Sequence, residues 1–300
     1  MTRRKDKTKR ISFKFGTSQK KIILHSPSLM SILKVLTVIC VFAAVGAALY
    51  FTEKYVRSTK PAESGPLVLE DVPEWVTAEL KTKIFAAAGY KYLDLDEKAA
   101  QLVAENLASV SWLDSVKVQT THDSIRIKGR WRKPLALVKS GSNKFYVDDE
   151  MVVLDFVPMP NLPIVQVTGV SITTMPAVGT LFEKEDLSAA VTILAALTKM
   201  DKSVTPDKPL LYEIDSIDIS NFNGRKNNRQ PHIILYTKDN TEIIWGAEFG
   251  TWQQHLEATD EEKLAKLYGY YKEYGTLSGG AKYINLRDPQ NNVPLPIDKY

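Results

Sequence analysis

The chain has 300 residues, which is long enough for one large domain or two ordinary ones, and its hydrophobic fraction of 44% can supply a buried core. The net charge of +4 is unevenly spread, because residues 1–30 hold nine Lys or Arg against one acid. The rest of the chain, with 30 basic and 34 acidic residues, has a net charge of −4. We therefore exclude nucleic acid as an expected partner.

A run of eighteen residues without a charge, 35–52, is close to the length that a helix needs to cross the hydrocarbon core of a membrane. We predict a transmembrane helix at residues 31–54, preceded by a basic cytoplasmic tail at residues 1–30. The positive-inside rule then places the N-terminus in the cytoplasm and the bulk of the protein on the other side of the inner (cell) membrane.

The same apolar run allows a second interpretation, a cleaved signal peptide. Val45, Gly46 and Ala47 resemble a small-residue cleavage site, and cleavage would remove residues 31–48 with the tail. Under either interpretation most of the chain is exported. The only cysteine, Cys40, lies within the apolar run, so we expect no disulfide in the exported part.

After a polar segment at residues 55–66, which we predict to be a linker, the pattern indicates a compact α/β module at residues 67–136. Apolar residues recur every three or four positions in two segments, and Asp94 with Glu97 has the spacing of a capping box before the second. Two alternating segments then predict antiparallel strands. The helices are predicted at residues 77–89 and 94–107, and the strands at 116–119 and 125–128.

Residues 137–288 predict a mixed β domain with flanking helices, followed by a flexible tail at residues 289–300. Thr259 and Glu262 form a second capping-box spacing, which starts a helix that ends near residue 274. The expected strands are at residues 135–138, 144–147, 151–154, 214–219, 232–237, 242–245 and 282–287, and a further helix is expected at 183–200. The predicted fold class is therefore α+β with a single N-terminal transmembrane helix.

Enzyme chemistry has little support in the sequence. Among the four histidines, His25 lies in the basic tail, whereas His122, His232 and His255 look isolated, without the spacing of metal ligands. Nucleophile and phosphate-binding motifs are absent, and acid pairs such as Asp260 with Glu261 are typical of helix starts. We predict no catalytic residue, no cofactor, no metal and no small-molecule substrate.

The tryptophans divide into two groups. Trp112 and Trp245 stand at the edges of alternating segments, which favours burial in a core. Trp131 and Trp252 fit either a core or a binding surface, and the sequence leaves both interpretations open.

Several short motifs, in this order, resemble the FtsQ/DivIB cell-division proteins of bacteria. Residues 93–96 (LDLD) are similar to the segment that enters the second helix of that family's POTRA domain, and residues 111–113 (SWL) to its Pro-Trp-Val turn. Further matches are residues 132–136 (RKPLA), 145–148 (FYVD) with Leu162-Pro163, and 284–287 (INLR). The resemblance implies a cytoplasmic tail, one membrane span, a POTRA-like domain and an FtsQ-like β domain.

Four positions depart from the family pattern. Val72-Pro73 replaces the usual glycine after the first POTRA strand, Trp131 stands where an acid is usual, and Asn285 also replaces an acid. Asp288-Pro289 occupies the place where many members have an aromatic residue beside the partner-binding surface. These differences indicate a divergent member and bear mainly on partner contacts.

The resemblance implies a non-enzymatic scaffold at the division septum that binds FtsB- and FtsL-like membrane proteins. The expected contact is the last strand, which would add a partner's strand to its open edge. Its residues are Tyr283, Ile284, Asn285, Leu286 and Arg287. Two other interpretations stay open: a POTRA-containing envelope transport or assembly factor, and a membrane-anchored envelope hydrolase.

Overall fold

The computed structural model describes residues 29–58, 64–89, 92–278 and 282–289. The chain divides into two compact units, residues 1–60 and residues 61–300. The predicted cytoplasmic tail lies outside the described residues except for its last two positions, and the predicted C-terminal tail lies outside them except for Pro289.

The described part of the first unit is one long helix, α1, at Leu29–Ser58. Its segment Leu36–Tyr55 is long and apolar enough to cross a membrane, and none of it is buried within the protein. The structure therefore confirms a single N-terminal helix suited to a membrane span. The helix extends four residues beyond the predicted end at residue 54.

The second unit begins with a four-stranded sheet covered by two helices. The elements are β1 (Ser64–Leu69), α2 (Ala78–Ala88), β2 (Tyr92–Asp94), α3 (Glu97–Ala108), β3 (Leu113–Thr120) and β4 (Ile125–Trp131). The strand order is β2-β1-β4-β3; β1 and β4 are parallel, and the other two pairs are antiparallel. Both predicted helices and the predicted antiparallel pair of strands are confirmed.

Capping residues explain where the two helices of this sheet begin. The Thr77 side chain accepts a hydrogen bond from Leu80 N, and Gly89 ends α2 with φ of 103°, a conformation that favours glycine. The N-cap of α3 is Asp96, whose carboxylate accepts from Ala99 N at 2.7 Å. The predicted cap, Asp94, was wrong, because that residue pairs with Ser64 as the end of β2.

The predicted linker was also too long. Ser64, Gly65 and Pro66 belong to β1, where they pair with β2. A Cβ atom on Gly65 would lie 2.5 Å from the backbone oxygen of Asp123, so this position requires glycine for close backbone approach. The glycine that appears to break regular structure in the sequence is thus a packing residue of a strand.

An eight-stranded mixed sheet follows. Its strands are β5 (Ala136–Ser140), β6 (Asn143–Val147), β7 (Val153–Asp155), β8 (Val165–Thr168), β9 (Ile214–Asp218), β10 (Ile233–Thr237), β11 (Glu242–Gly246) and β12 (Tyr283–Asn285). The order is β12-β11-β10-β9-β8-β5-β6-β7, with parallel pairing at β5–β8, β8–β9 and β11–β12. The sequence analysis did not identify β8, which has only four residues.

Two helices, α4 (Glu185–Val204) and α5 (Asp260–Tyr274), bury their apolar sides in the core of this sheet. The capping box predicted for α5 is present, with Thr259 and Glu262 bonding each other's backbone N–H groups. Asp201 joins the helices: its Oδ1 accepts from the Tyr268 hydroxyl at 2.8 Å. Burial, followed by this carboxylate, raises the pKa of Tyr268.

The two sheets of the second unit share a buried junction. Asp155, at the end of β7, accepts a hydrogen bond from Trp112 Nε1 at 3.0 Å, and the Trp112 ring meets Tyr146 edge-on at 6.1 Å between centroids. Close by, Arg132 donates to Asp148 at 2.8 Å. The domain boundary predicted between residues 136 and 137 falls inside the second sheet, after the first residue of β5, and one apolar cluster includes residues of both sheets.

Candidate functional site

Strand β12 is at one edge of the eight-stranded sheet and contains the first three of the residues predicted to bind a partner. It pairs with β11 in parallel register, with Ile284 opposite Ile243. The Ile284 and Leu286 side chains are fully buried, whereas Tyr283, Asn285 and Arg287 are partly exposed. The buried pair attaches the strand to the core, and the other three side chains keep some accessible surface.

The directions of the backbone N–H and C=O groups show which of them are already paired at this edge. Leu286 N donates to Ile244 O at 3.0 Å, so the N–H and C=O groups of even-numbered residues face β11 and those of odd-numbered residues face outward. The outward carbonyl of Arg287 already accepts from Ala258 N at 2.7 Å. The Arg287 N–H donates to its neighbour Asn285 Oδ1 at 3.1 Å.

Within the described residues, the outward backbone groups of Tyr283 and Asn285 therefore face no strand. The structure brings all five predicted residues to one edge, but only these two present backbone groups that a second strand could use. Ile284 and Leu286 contribute by anchoring the strand.

A buried ion pair stabilises the closed end of this edge, the end at which the backbone groups of Arg287 are already hydrogen-bonded. The Lys263 ammonium lies 2.7 Å from Glu257 Oε2, which also accepts from Ala247 N at 2.9 Å. The same ammonium is 5.4 Å from the centre of the Trp245 ring. This cluster fixes the segment before Ala258, which in turn holds the Arg287 carbonyl.

A second group of polar side chains lies where β10 begins and β11 ends. His232 Nδ1 is 3.1 Å and 3.2 Å from the two carboxylate oxygens of Glu248. The ring of His255 packs edge-on against that of His232, with 4.8 Å between centroids. The description of His232 and His255 as isolated was therefore wrong.

Pairing of β10 with β11 brings this group together, since Ile233 lies opposite Gly246. Glu248 comes two residues after β11, and His255 ends a short 3₁₀ helix at Trp252–His255. The three positions are separated by sixteen and seven residues in the sequence, so local spacing could not reveal the group. The predicted hairpin was the one indication in the sequence. Its two paired strands bring His232, at the start of the first, close to Glu248, which follows the second.

Burial and hydrogen bonds have opposite effects on the pKa of Glu248. Its loss of solvent favours the neutral form, but the backbone N–H groups of Glu248 and Asn223 and the His232 ring together outweigh that and lower the pKa of the carboxyl. Glu248 is therefore an anion at neutral pH. The site combines a fixed carboxylate with two imidazole rings.

Burial in a core was predicted for two of the tryptophans, Trp112 and Trp245, and the structure agrees. Trp112 and Trp245 are fully buried, which confirms both as core residues. Trp131 and Trp252 are partly exposed, and Trp131 meets Trp75 edge-on at 6.5 Å between ring centroids. Trp131 thus belongs to an aromatic pair.

Comparison of the sequence with protein-family models gave no match, and comparison with curated proteins gave none either.

Proposed function

We propose that the protein is a non-enzymatic, membrane-anchored scaffold of bacterial cell division, similar to FtsQ/DivIB. It would be anchored in the inner membrane by α1, with its N-terminus in the cytoplasm, and would bind other division proteins outside the cytoplasm to link them to septal wall synthesis. The order β1, α2, α3, β3 and β4, with the three-residue strand β2 between the two helices, supports a POTRA-like module. The mixed sheet that follows supports an FtsQ-like β domain.

The observation that carries this proposal is the open outer edge of β12. Unpaired strand edges template the addition of another strand, with backbone hydrogen bonds giving affinity and side chains giving specificity. Tyr283 and Asn285 offer two donors and two acceptors to an incoming strand. The expected partner strand comes from an FtsB- or FtsL-like protein.

A second feature next to this edge suits an apolar contact. The Leu256 side chain is 87% exposed, only two residues before Ala258, which bonds β12. Its backbone has φ of 54°, which is unusual for a bulky residue and directs a leucine into solvent. A partner strand paired with β12 would be able to contact the Leu256 side chain near the end of β12.

A proline on the outer edge tests the proposal. Asn285→Pro removes an outward N–H without taking a bond from the ladder to β11, and Asn285→Ala is the matched control that keeps the N–H. Proline at Ile284 would instead remove a core side chain fully buried beneath the strand. Each variant is produced as full-length protein in cells depleted of the native copy, and the membrane proteins that co-purify with it are identified.

We expect Asn285→Ala to retain small single-span division proteins and to support septation, and Asn285→Pro to lose both. Thermal unfolding of the purified variants checks that their folds are equal. Equal capture by both variants would refute strand addition at β12. Uniform envelope localisation with normal division after depletion would refute the division role itself and favour an envelope transport or assembly factor.

A further inference from the structure

The group formed by His232, Glu248 and His255 is independent of the proposed division role. One ligand atom from each residue lies within 4.8 Å of the other two. Imidazole nitrogen and carboxylate oxygen are the donors that Zn²⁺ takes most readily after thiolate. The three residues thus have both the chemistry and the proximity of a transition-metal site.

The distances fit such an ion with a small adjustment. Ligands that are about 2.0–2.1 Å from a tetrahedral Zn²⁺ lie roughly 3.3 Å from each other. The separations of 3.1 Å and 3.2 Å between His232 Nδ1 and the Glu248 oxygens already match this value. The widest separation, 4.8 Å, must shorten. His255 can do this because its side chain is exposed and free to rotate about its own bonds.

The carboxylate is held in place for this role. Asn223 N donates to Glu248 Oε1 at 2.8 Å, and the Thr251 hydroxyl lies 3.5 Å from Glu248 Oε2. Groups that orient a ligating carboxylate raise metal affinity, because the ligand loses little freedom on binding. His232 is buried, which fixes the second ligand as well.

The surroundings also favour a cation. Glu248 and His255 line an open cleft of about 740 Å³, whose charged residues otherwise comprise three glutamates and one lysine. These are Glu150, Glu183, Glu185 and Lys184. The excess of negative charge raises the local concentration of divalent cations.

We propose that His232, Glu248 and His255 bind one divalent transition-metal ion of the Zn²⁺ type, with a fourth position open to the cleft for water. Three protein ligands and one open position distinguish such a site from a closed structural zinc site with four. The proposal does not depend on the division role.

A simpler interpretation is a hydrogen-bonded pair of His232 and Glu248 without metal. That pair would need no contribution from His255, whereas metal binding would. His255→Ala therefore separates the two interpretations, and because His255 is exposed the variant should fold normally. The double variant His25→Ala/His122→Ala is the matched control, since it removes the two histidines outside the group.

The experiment uses the full-length chain in detergent, stripped of metal with a chelator. Co²⁺ is added and its visible absorption recorded, and Zn²⁺ affinity is measured by competition with a fluorescent chelator. Thermal unfolding is followed with and without Zn²⁺, because an ion that binds only the folded state raises Tm.

We expect one equivalent of Co²⁺ with the intense visible absorption of a four- or five-coordinate site, and a rise in Tm with Zn²⁺. His255→Ala should weaken Zn²⁺ binding at least tenfold and abolish the rise in Tm, while the control variant should match the natural sequence. Equal binding by His255→Ala, loss of binding in the control variant, or no binding by the natural sequence would each overturn the proposal.

Discussion

The ammonium of Lys263 lies 2.7 Å from Oε2 of Glu257, and the lysine side chain has no exposed surface. Two opposite charges removed from water stabilise each other only as a pair, because each would be costly to bury alone. Glu257 directly precedes Ala258, whose N–H donates to the Arg287 carbonyl. The ion pair therefore helps to hold the closed end of β12 in place.

We expect Glu257→Gln to lower the free energy of unfolding by about 3–5 kcal/mol, because it leaves the Lys263 charge buried without a partner. The double variant Glu257→Gln/Lys263→Met should recover most of that loss. Urea unfolding of the full-length proteins measures both. Additive effects of the two single changes would show that the residues do not act as a pair.

The two buried tryptophans provide a matched comparison. Trp112 Nε1 donates to Asp155, whereas Trp245 Nε1 has no hydrogen-bond partner among the described residues. Replacement by phenylalanine leaves a cavity at either position, but only at Trp112 does it remove a hydrogen bond. Asp155 Oδ1 then keeps the Ser111 hydroxyl, at 3.1 Å, as a donor. Trp112→Phe should therefore be more destabilising than Trp245→Phe by about 1–2 kcal/mol, measured by urea unfolding. Equal losses would contradict a stabilising role for the Trp112–Asp155 bond.

Glycine at position 65 is required by packing, and a helical glycine supplies the contrast. A Cβ on Gly65 would meet the backbone of Asp123, whereas a Cβ on Gly269, in α5, would meet nothing within 4 Å. Gly65→Ala should destabilise the protein by about 1–3 kcal/mol through overpacking. Gly269→Ala should stabilise it by about 0.5–1 kcal/mol, because alanine favours a helix. Thermal unfolding would disprove this account if the two changes had the same sign.

The stability that Asp239 contributes in the turn between β10 and β11 should depend on pH. The Thr237 hydroxyl donates to Asp239, and this bond is the main cause that lowers the pKa of Asp239 from 3.8 to about 2. A carboxyl whose pKa is lower in the folded state adds stability at pH values above its unfolded pKa, and that stability is lost as pH falls towards the folded value.

The stability difference between the natural sequence and Asp239→Asn should therefore be constant above about pH 5 and shrink as the pH approaches 2. Asp207→Asn, which changes an exposed carboxyl, is the control. Unfolding by urea at each pH gives the measurement. A difference that does not change with pH would exclude the Thr237–Asp239 bond as its source.

The sequence predicted most of the long elements because their signals are local. Amphipathic spacing with Thr77 and Gly89 defined α2 to within one residue at each end, and the capping box at Thr259 defined the start of α5. The sequence did not place β1, β2 and β8. The strands β2 and β8 have three and four residues, too few for an alternating pattern, and the first half of β1 lies in the segment predicted to be a linker. Their positions depend on pairing with strands distant in sequence.

In the candidate sites, too, local patterns predicted single elements, whereas contacts between residues distant in sequence could not be predicted. The terminal strand could be placed from its apolar pattern, but which of its backbone groups stay open depends on Ala258, which no local pattern connects to Arg287. Likewise His255 meets His232 only because the chain turns back through a short 3₁₀ helix after β11.

The position of β1 has a mechanical consequence. Residues 59–63 connect the end of α1 to Ser64, so tension on α1 reaches the first sheet at the start of this strand. β1 is an interior strand, paired with β2 on one side and β4 on the other. The two halves of β1 have different partners: residues 64–66 pair with β2, whereas residues 67–69 pair with β4. Tension that enters at Ser64 therefore acts on the pairing with β2 before it reaches the pairing with β4.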